Sequence, residues 1–167
     1  LNLHRAGARE IALQLARESD VLVESFRPGF MASVGLSYDD IREVNPNIIM
    51  MSSSMEGATG PHAGFRGLGL TLQATVGFTH FTGWPDRPPV GTGTAYTDWF
   101  AASVAGAFLL AAIDFRRRTG QGQYIDLSQL EACIWALEAE HFLARGQTSG
   151  SPSASEMTMT GSNWPAC

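Results

Sequence analysis

Asp98 is the residue of this sequence around which a reaction is most readily built. A glycine–threonine loop that starts at Gly91 leads into it, and an apolar run from Trp99 to Ile113, with the length and composition of a buried helix, follows it. In one interpretation Asp98, or Thr97 beside it, caps that helix by accepting a backbone N–H, which contributes about 1 kcal/mol. In the other, the ionised carboxylate lies at the positive end of the helix dipole and faces a pocket as a nucleophile.

Other catalytic patterns are missing from the sequence. No GxSxG motif occurs, and the four histidines (His4, His62, His80 and His141) show neither HExxH nor another metal-ligand spacing, so we expect no metal site. The glycine-rich stretches 64–69 and 118–122 match neither the dinucleotide-binding nor the P-loop pattern. Asp98 therefore remains, together with scattered cations near predicted loops.

Charge and cysteine usage narrow the classes of partner. The 167 residues carry a net charge of −5, which gives no general attraction to nucleic acid or to an anionic membrane, and we expect neither as a partner. Cys133 and Cys167 lie far apart and indicate neither a disulfide framework nor a CxxC metal site, as is typical of a reducing cytoplasm. The run from Trp99 to Ile113 is shorter than the roughly 20 residues of a membrane span, which favours a core helix.

Helices and strands alternate along the first part of the chain. The pattern predicts a helix over 6–18 with Ala8, Ile11, Ala12 and Leu15 on its apolar face, a strand over 21–23, a helical turn over 30–34, a helix opened by a Ser37 capping box and closed at Asn45, and a strand over 48–51. Short connections between such elements are typical of an α/β fold with a Rossmann-like layer of parallel strands and flanking helices.

The second part continues this alternation. We expect a helix over 67–77, an irregular segment over 82–89, the helix after Asp98 closed by Arg116–Arg118 and Gly120, a strand over 124–127, and a helix capped by Ser128 that buries Leu130, Cys133, Ile134 and Leu137. Residues 1–145 then form part of one large domain, and 146–167 form a loop or linker. Since Leu1 is not an initiator methionine, we expect a fragment of a longer chain. Loops 24–29 and 52–66 leave the ends of predicted strands, where open α/β sheets bind ligands.

Several segments in a fixed order resemble the family III CoA-transferases, the CaiB/BaiF family. They are VLVESFRPG (21–29), VNPNII (44–49), GATGP (57–61), TGWPDRPPV (82–90), YTD (96–98) and RTGQGQYIDLS (118–128). The resemblance extends to about residue 145. It implies an enzyme in which the aspartate at the start of the helix, here Asp98, attacks an acyl-CoA thioester and so moves CoA to an acceptor carboxylic acid through a covalent aspartyl intermediate.

The resemblance also implies how CoA is held. The family's contacts fall on His4, where a lysine is common, on Ser25 and Phe26, on Val34 and on Arg66, and we add the neighbouring Arg27. Arg66 supplies a permanent charge in a bidentate fork, whereas His4 is a weaker cation at neutral pH. The family further implies acyl-CoA and a small carboxylic acid as partners, an interlaced homodimer or related hetero-oligomer, and a cytoplasmic location.

Two alternatives remain open at this point. The acyl-CoA racemases of the same family place a histidine base near position 68, where this chain has Leu68, which cannot accept a proton. An acyl-CoA racemase or epimerase is therefore disfavoured but not removed. A non-catalytic paralogue that binds CoA or serves dimerisation is the other alternative, because the binding loops do not by themselves require turnover.

Overall fold

The computed structural model describes residues 1–5, 7–82, 84 and 86–137. Within these, the elements are α1 (Ala8–Arg17), β1 (Val21–Glu24), α2 (Phe30–Ser33), α3 (Tyr38–Val44), β2 (Ile49–Ser54), α4 (Gly69–Val76), α5 (Phe78–Phe81), α6 (Tyr96–Thr119) and β3 (Gln123–Ser128). Residues 129–137 are also helical. The chain divides into two compact units. The first unit comprises Leu1–Arg66 and Ala101–Gln129, and the second comprises Gly67–Phe100 and, among the described residues, 130–137. The predicted linker over 146–167 lies outside the described residues.

The first unit is built on a parallel sheet in the order β1-β2-β3. Its central strand β2 is buried from Ile49 to Ser52. One face of the sheet packs on a core of Ala16, Leu36, Ile41, Ile48 and Met50. Ile49 and Met51 are fully buried as well. A central strand that is apolar on both faces is typical of a parallel sheet covered by helices, so the predicted α/β fold is confirmed.

Two predicted strands differ from the observed ones in extent or burial. The serines at 52–54, predicted as loop, belong to β2 because they pair with Asp126, Leu127 and Ser128 of β3. The predicted buried strand β1 lies at the edge of the sheet, where Val23 is 55% exposed. The strand at 52–54 forms because it pairs with β3, which is distant in sequence. β1 is exposed because it lies at the edge of the sheet.

The core-facing side of α1 was predicted correctly at Ala8 and Ala12 and wrongly at Ile11 and Leu15. Ala8 and Ala16 are buried, whereas Ile11 and Leu15 are 48% and 62% exposed. Positions 8, 12 and 16 are four residues apart and so share one face, and their small side chains let the helix pack closely on its neighbours. Volume at the contact, rather than hydrophobicity alone, selected the buried face.

Local capping in the first unit follows the sequence closely. The Ser37 side chain accepts a hydrogen bond from the Asp40 backbone N–H, and the Asp40 carboxylate accepts from the Ser37 backbone N–H. The side-chain and backbone hydrogen bonds from Ser37 lower the pKa of Asp40, and the charge on Arg9 acts in the same direction. Gly120 adopts φ +73° at the end of α6 and donates its N–H to Arg116 at 2.7 Å. Both predicted caps are confirmed.

Helix α6 is more exposed than predicted. Ala101 and Ala112, about three turns apart, are buried, but Trp99, Phe108 and Leu110 are exposed. The expectation of a buried core helix is therefore wrong for the part of the chain that the structure describes. Among the described residues, α6 is long and apolar enough to cross a membrane by length and composition, and 11% of its most apolar stretch is buried. A helix that packs against another protein surface also combines an apolar composition with low burial within its own chain.

The second unit contains α4, α5, the first turn of α6 and the helical residues that follow Leu130. Helix α4 falls within its predicted range, and Gly77 ends it at φ +105°. Helix α5 was not predicted. In the last described helix Cys133 is fully buried as expected, whereas Ile134 is 46% exposed and was assigned wrongly. The core of this unit includes Leu72 and two fully buried polar residues, Gln73 and Thr97.

The close approach of β3 to the turn before β2 gives a test of the first unit. A Cβ at Gly122 would lie 2.1 Å from the Ile48 carbonyl oxygen and 2.6 Å from the Asn47 carbonyl carbon, both backbone atoms that cannot rotate away. We expect Gly122→Ala to lower the free energy of unfolding by on the order of 3 kcal/mol, measured by denaturant titration of the complete protein.

Gly64→Ala is the matched control, because a Cβ there meets nothing within 4 Å. It should change the free energy of unfolding by less than about 0.5 kcal/mol. Equal stability of the two variants would contradict the close contact between these backbones.

Candidate active site

Asp98 lies in the first turn of α6, in the second unit. The helix begins two residues earlier, at Tyr96, and the Asp98 backbone N–H donates to the Ala95 carbonyl at 3.0 Å. Neither Thr97 nor Asp98 is therefore the N-cap, and the capping interpretation of the sequence is wrong. The Asp98 side chain is exposed, and no hydrogen bond or ion pair to its carboxylate is found within residues 1–137 as described.

The start of α4 packs closely against this turn. A Cβ at Gly69 would lie 2.6 Å from Asp98 Oδ2 and 2.8 Å from the Ala95 Cβ, so the Asp98 carboxylate rests directly on the Gly69 backbone. Thr97 is fully buried and donates its hydroxyl to the Gly69 carbonyl at 3.1 Å. The turn that carries Asp98 is thus held from its buried side, while its carboxylate points to the exposed side.

A buried thiol lies behind the same turn. Cys133 Sγ is 3.8 Å from the Thr97 carbonyl oxygen, to which it donates. Burial raises the pKa of Cys133 to about 11, and the negative charge of Asp98 acts in the same direction. The group therefore stays a protonated thiol at neutral pH and has no thiolate character.

A buried glutamine holds the loop that precedes Asp98. Gln73 of α4 is fully buried, and its side-chain amide bonds to Thr94 and to Thr92. Sequence reasoning overlooked Gln73 and considered Thr97 only as a possible helix cap. The available signal was a single polar amide inside the apolar stretch from Leu70 to Val76, since a polar side chain on a buried face requires partners.

Five of the six predicted CoA contacts lie on or beside α2 in the first unit. The rings of Phe26 and His4 contact Phe30, with centroids 4.5 Å and 5.9 Å from it. The Arg27 carbonyl accepts the Phe30 N–H, and the Val34 N–H donates to the Phe30 carbonyl. Ser25 is exposed in the loop between β1 and α2, which the Glu24 carboxylate fixes by accepting the Phe26 N–H at 2.7 Å.

Arg66, the remaining predicted contact, is exposed, and it is the last residue of the segment Leu1–Arg66 of the first unit. No ion pair or hydrogen bond joins it to the group around α2 within the described part of the chain. Arg27 is likewise exposed and has no ion pair there. Both guanidinium groups are therefore available to an anion.

A cleft of about 120 Å³ adjoins this group at the carboxyl ends of the strands. Its lining includes Phe26, Arg27, Tyr38, Ser52, Ser54 and Tyr124. The rings of Tyr38 and Tyr124 are 5.3 Å apart, and the buried Ser54 hydroxyl has no hydrogen-bond partner. The cleft thus offers aromatic faces, a cation and an unpaired polar atom, which suits an amphipathic ligand.

The loop after β2 is tied to the neighbouring strand. The Ala58 N–H donates to both oxygens of the Asp126 carboxylate, at 3.1 Å and 3.0 Å. Gly57 beside it adopts φ +86°, which favours glycine. These contacts fix the start of the GATGP segment at the same end of the sheet as the cleft. No cluster of three His, Cys, Asp or Glu side chains that could hold a metal occurs among the described residues.

Comparison with known proteins gives one consistent family. The model of the family described as CoA-transferase family III matches residues 1–164. An acetyl-CoA:oxalate CoA-transferase from Acetobacter aceti is 37% identical over 139 residues, which cover 83% of this chain and 36% of that protein. A succinyl-CoA–L-malate CoA-transferase alpha subunit from Chloroflexus aurantiacus is 35% identical over 83% of this chain and 32% of its own length.

A solved structure gives the same result. The crystal structure of a CaiB/BaiF family protein from Brucella suis superposes with a TM-score of 0.81 at 32% identity, covering 91% of this chain and 40% of that one. The chain therefore spans about a third of the length of these curated relatives. On the match of residues 1–164 and on this structural likeness, the chain belongs to the family III CoA-transferases.

Proposed function

We propose that the complete protein carrying this chain transfers CoA from an acyl-CoA to a carboxylic acid, with Asp98 as the covalent nucleophile. The observation that carries the proposal is the Asp98 carboxylate itself. It is exposed, has no partner in the described part of the chain, and is held by its backbone in the first turn of α6. Membership of a family of CoA-transferases supplies the reaction class.

The proposed reaction conserves the thioester. An Asp98 carboxylate oxygen attacks the acyl carbonyl of the donor, expels the CoA thiolate and forms a mixed anhydride. The thiolate then attacks the aspartyl carbonyl, which releases the donor as a free carboxylate and leaves an aspartyl-CoA thioester. The acceptor carboxylate attacks the aspartyl carbonyl of this thioester, expels the CoA thiolate and forms a second mixed anhydride. The thiolate then attacks the acceptor carbonyl, which forms the acceptor acyl-CoA and releases the Asp98 carboxylate. The covalent nucleophile divides one exchange into activated steps, and neither water nor a redox partner is consumed.

The first unit supports binding of the CoA portion. CoA joins phosphates, an adenine and an apolar pantetheine arm, so its site requires cations, an aromatic surface and polar atoms. Arg66 and Arg27 are exposed and unpaired within the described residues, and Phe26 is 47% exposed beside Phe30. We infer that Arg66 and Arg27 contact phosphate and that Phe26, with His4, Ser25 and Val34 around it, contacts the remainder of the cofactor.

The racemase alternative has no support from the site. Leu68 precedes Gly69, the residue against which Asp98 packs, and its side chain is 74% exposed without any group that can exchange a proton. Proton abstraction next to a carbonyl requires a base of suitable pKa within hydrogen-bond reach. The non-catalytic paralogue remains a second candidate, because every CoA contact proposed here would serve it equally well.

We infer that the exposed apolar face of α6 is covered in the complete protein. Trp99, Phe108 and Leu110 are 70%, 51% and 70% exposed, an apolar surface that a protein in water normally buries. The matched part of this chain covers only 36% and 32% of the length of two relatives, and one of them is named an alpha subunit. Further chain or a partner subunit in a homodimer or hetero-oligomer would cover this face. We also place the protein in the cytoplasm.

The role of Asp98 is tested by Asp98→Asn in the complete protein. Replacing the carboxylate with an isosteric amide removes the nucleophile, so we expect kcat for CoA exchange between acyl-CoA and free carboxylic acids to fall by about 10⁴-fold. Hydroxylamine trapping of the wild type during turnover should convert Asp98 to a hydroxamate, identified by peptide mass spectrometry.

Asp114→Asn is the matched control for this experiment. It makes the same substitution on the same helix, at an exposed residue whose only ion pair is with Arg118 at 2.8 Å among the described residues. It should retain exchange activity. Trapping on another residue would overturn the proposed mechanism. If Asp98→Asn binds CoA as tightly as the wild type does, and the wild type forms no adduct, the result would favour the non-catalytic paralogue.

The proposed phosphate contact is tested by Arg66→Ala. Loss of a charge-assisted contact should raise the Kd for CoA about tenfold and leave the Kd for pantetheine, which has no phosphate, unchanged. Isothermal titration with both ligands at two salt concentrations measures this. Arg42→Ala, at an exposed arginine on α3, should affect neither ligand. An equal loss of affinity for CoA and pantetheine would show that Arg66 does not contact phosphate.

A further inference from the structure

The loop before Asp98 has one internal side-chain hydrogen bond among the described residues, from the Thr92 hydroxyl to the Thr94 carbonyl at 3.1 Å. It runs from Gly91 to Ala95, and Thr92, Gly93 and Thr94 are exposed. Gly93 adopts φ +76°, and a Cβ there would meet nothing within 4 Å. Such a loop samples many conformations unless other residues fix it. Since α6 begins directly after it, any movement of this loop is passed on to Asp98.

Gln73 supplies the side-chain hydrogen bonds that join this loop to α4 within the described residues. Its Nε2 donates to the Thr94 carbonyl, and its Oε1 accepts from the Thr92 hydroxyl at 3.1 Å and from the Thr92 N–H at 3.4 Å. The amide thus acts as donor to one loop residue and as acceptor from another. An amide side chain is suited to this double role, because it presents both kinds of group in one plane.

The burial of Gln73 makes these bonds consequential. Its side chain is fully buried, so neither amide group is compensated by water if the loop moves away. One turn earlier on α4, Gly69 accepts the Thr97 hydroxyl and contacts the Asp98 carboxylate. One face of α4 therefore holds both the loop before Asp98 and the turn that carries it.

We propose that Gln73 is a positioning residue for Asp98, acting through the Thr92–Thr94 loop. This inference rests on the proposed function, since it concerns the orientation of the proposed nucleophile. Gln73 contacts neither the carboxylate nor a substrate. By fixing the loop it restricts the start of α6 to one position, so that the Asp98 carboxylate meets an incoming thioester carbonyl in a single geometry.

The first variant to test is Gln73→Leu in the complete protein. Leucine has a similar size and none of the hydrogen bonds, so the loop is released while the core stays filled. We expect kcat for CoA exchange to fall 10- to 100-fold, with the KM for acyl-CoA within about twofold of wild type, because the proposed CoA contacts lie elsewhere. A rise in KM with kcat unchanged would overturn the proposal.

Gln73→Glu makes the effect on kcat depend on pH, which a merely structural role of Gln73 would not do. A protonated glutamic acid donates its O–H to the Thr94 carbonyl and accepts from Thr92, as the amide does, whereas the ionised form places a lone pair against that carbonyl. Burial raises the pKa of such a carboxyl above its ordinary value of about 4.3. The ratio of variant to wild-type kcat should therefore rise as the pH is lowered through that pKa and fall above it.

Gln14→Glu on the exposed surface of α1 is the matched control, and its ratio to wild type should not depend on pH. A ratio for Gln73→Glu that is equally flat would overturn the proposal. If Gln73→Leu fails to fold, the pH profile of Gln73→Glu alone decides the question, because it compares two protonation states of one folded protein.

Amide hydrogen exchange separates this inference from the proposed function. Exchange in residues 91–98 should be faster in Gln73→Leu than in wild type whether or not Asp98 is the nucleophile. Faster exchange with wild-type kcat would show that Gln73 anchors the loop without positioning Asp98, which overturns the inference. Full activity of Asp98→Asn would instead overturn the proposed function and leave the hydrogen-exchange result standing.

Discussion

Strand β2 is paired along both edges, and this constraint organises the first unit. Residues 49–52 pair with β1, and residues 49–54 pair with β3, in both cases in parallel. Since parallel strands require crossovers, the chain leaves β1 and β2 at the same end of the sheet. The loop with Phe26 and the GATGP segment therefore emerge side by side, and the cleft with the unpaired Ser54 hydroxyl lies at that end. Fixing one central strand thus fixes where a ligand can bind.

In the second unit, polar contacts determine where α6 starts. Leu72 and Cys133 are fully buried there, but the contacts that determine the start of α6 are hydrogen bonds from Gln73 and Thr97. A net hydrogen bond contributes about 1 kcal/mol, so these bonds add little to stability. Their value lies in direction, because a buried donor or acceptor is satisfied in few geometries. Such an arrangement suits a unit that must orient one carboxylate.

Elements set by local chemistry were predictable from the sequence. The Ser37 capping box, the Gly120 helix end and the apolar strand segments all follow from residues close together in the chain. Properties set by distant partners were not. The strand at Ser52–Ser54 exists because β3 pairs with it, and the buried face of α1 was chosen by the small volume of Ala8 and Ala16. Exposure of α6 belongs to this second class, since composition does not show which surface is covered.

The same distinction applies to the candidate site. Asp98 was found from its place between a glycine-containing loop and an apolar run, and its family resemblance named the chemistry. The hydrogen bonds that orient Asp98 were not predicted, because Gln73 lies more than 15 residues before the loop that it contacts and belongs to no recognisable motif. The role of a single buried amide follows from its hydrogen-bond partners, and these partners are known only once the chain is folded.

The exposure of Asp98 sets what the rest of the protein must supply. A carboxylate in water is well solvated, and attack on a thioester requires that part of this water be removed. Within the described residues the Asp98 side chain is exposed, so its surroundings fix its position without desolvating the carboxylate. Water would then be displaced by the acyl-CoA itself and by chain of the kind that the relatives carry beyond the third of their length matched here. In the proposed enzyme, orientation of the nucleophile is encoded in this chain, and its desolvation is completed on binding and assembly.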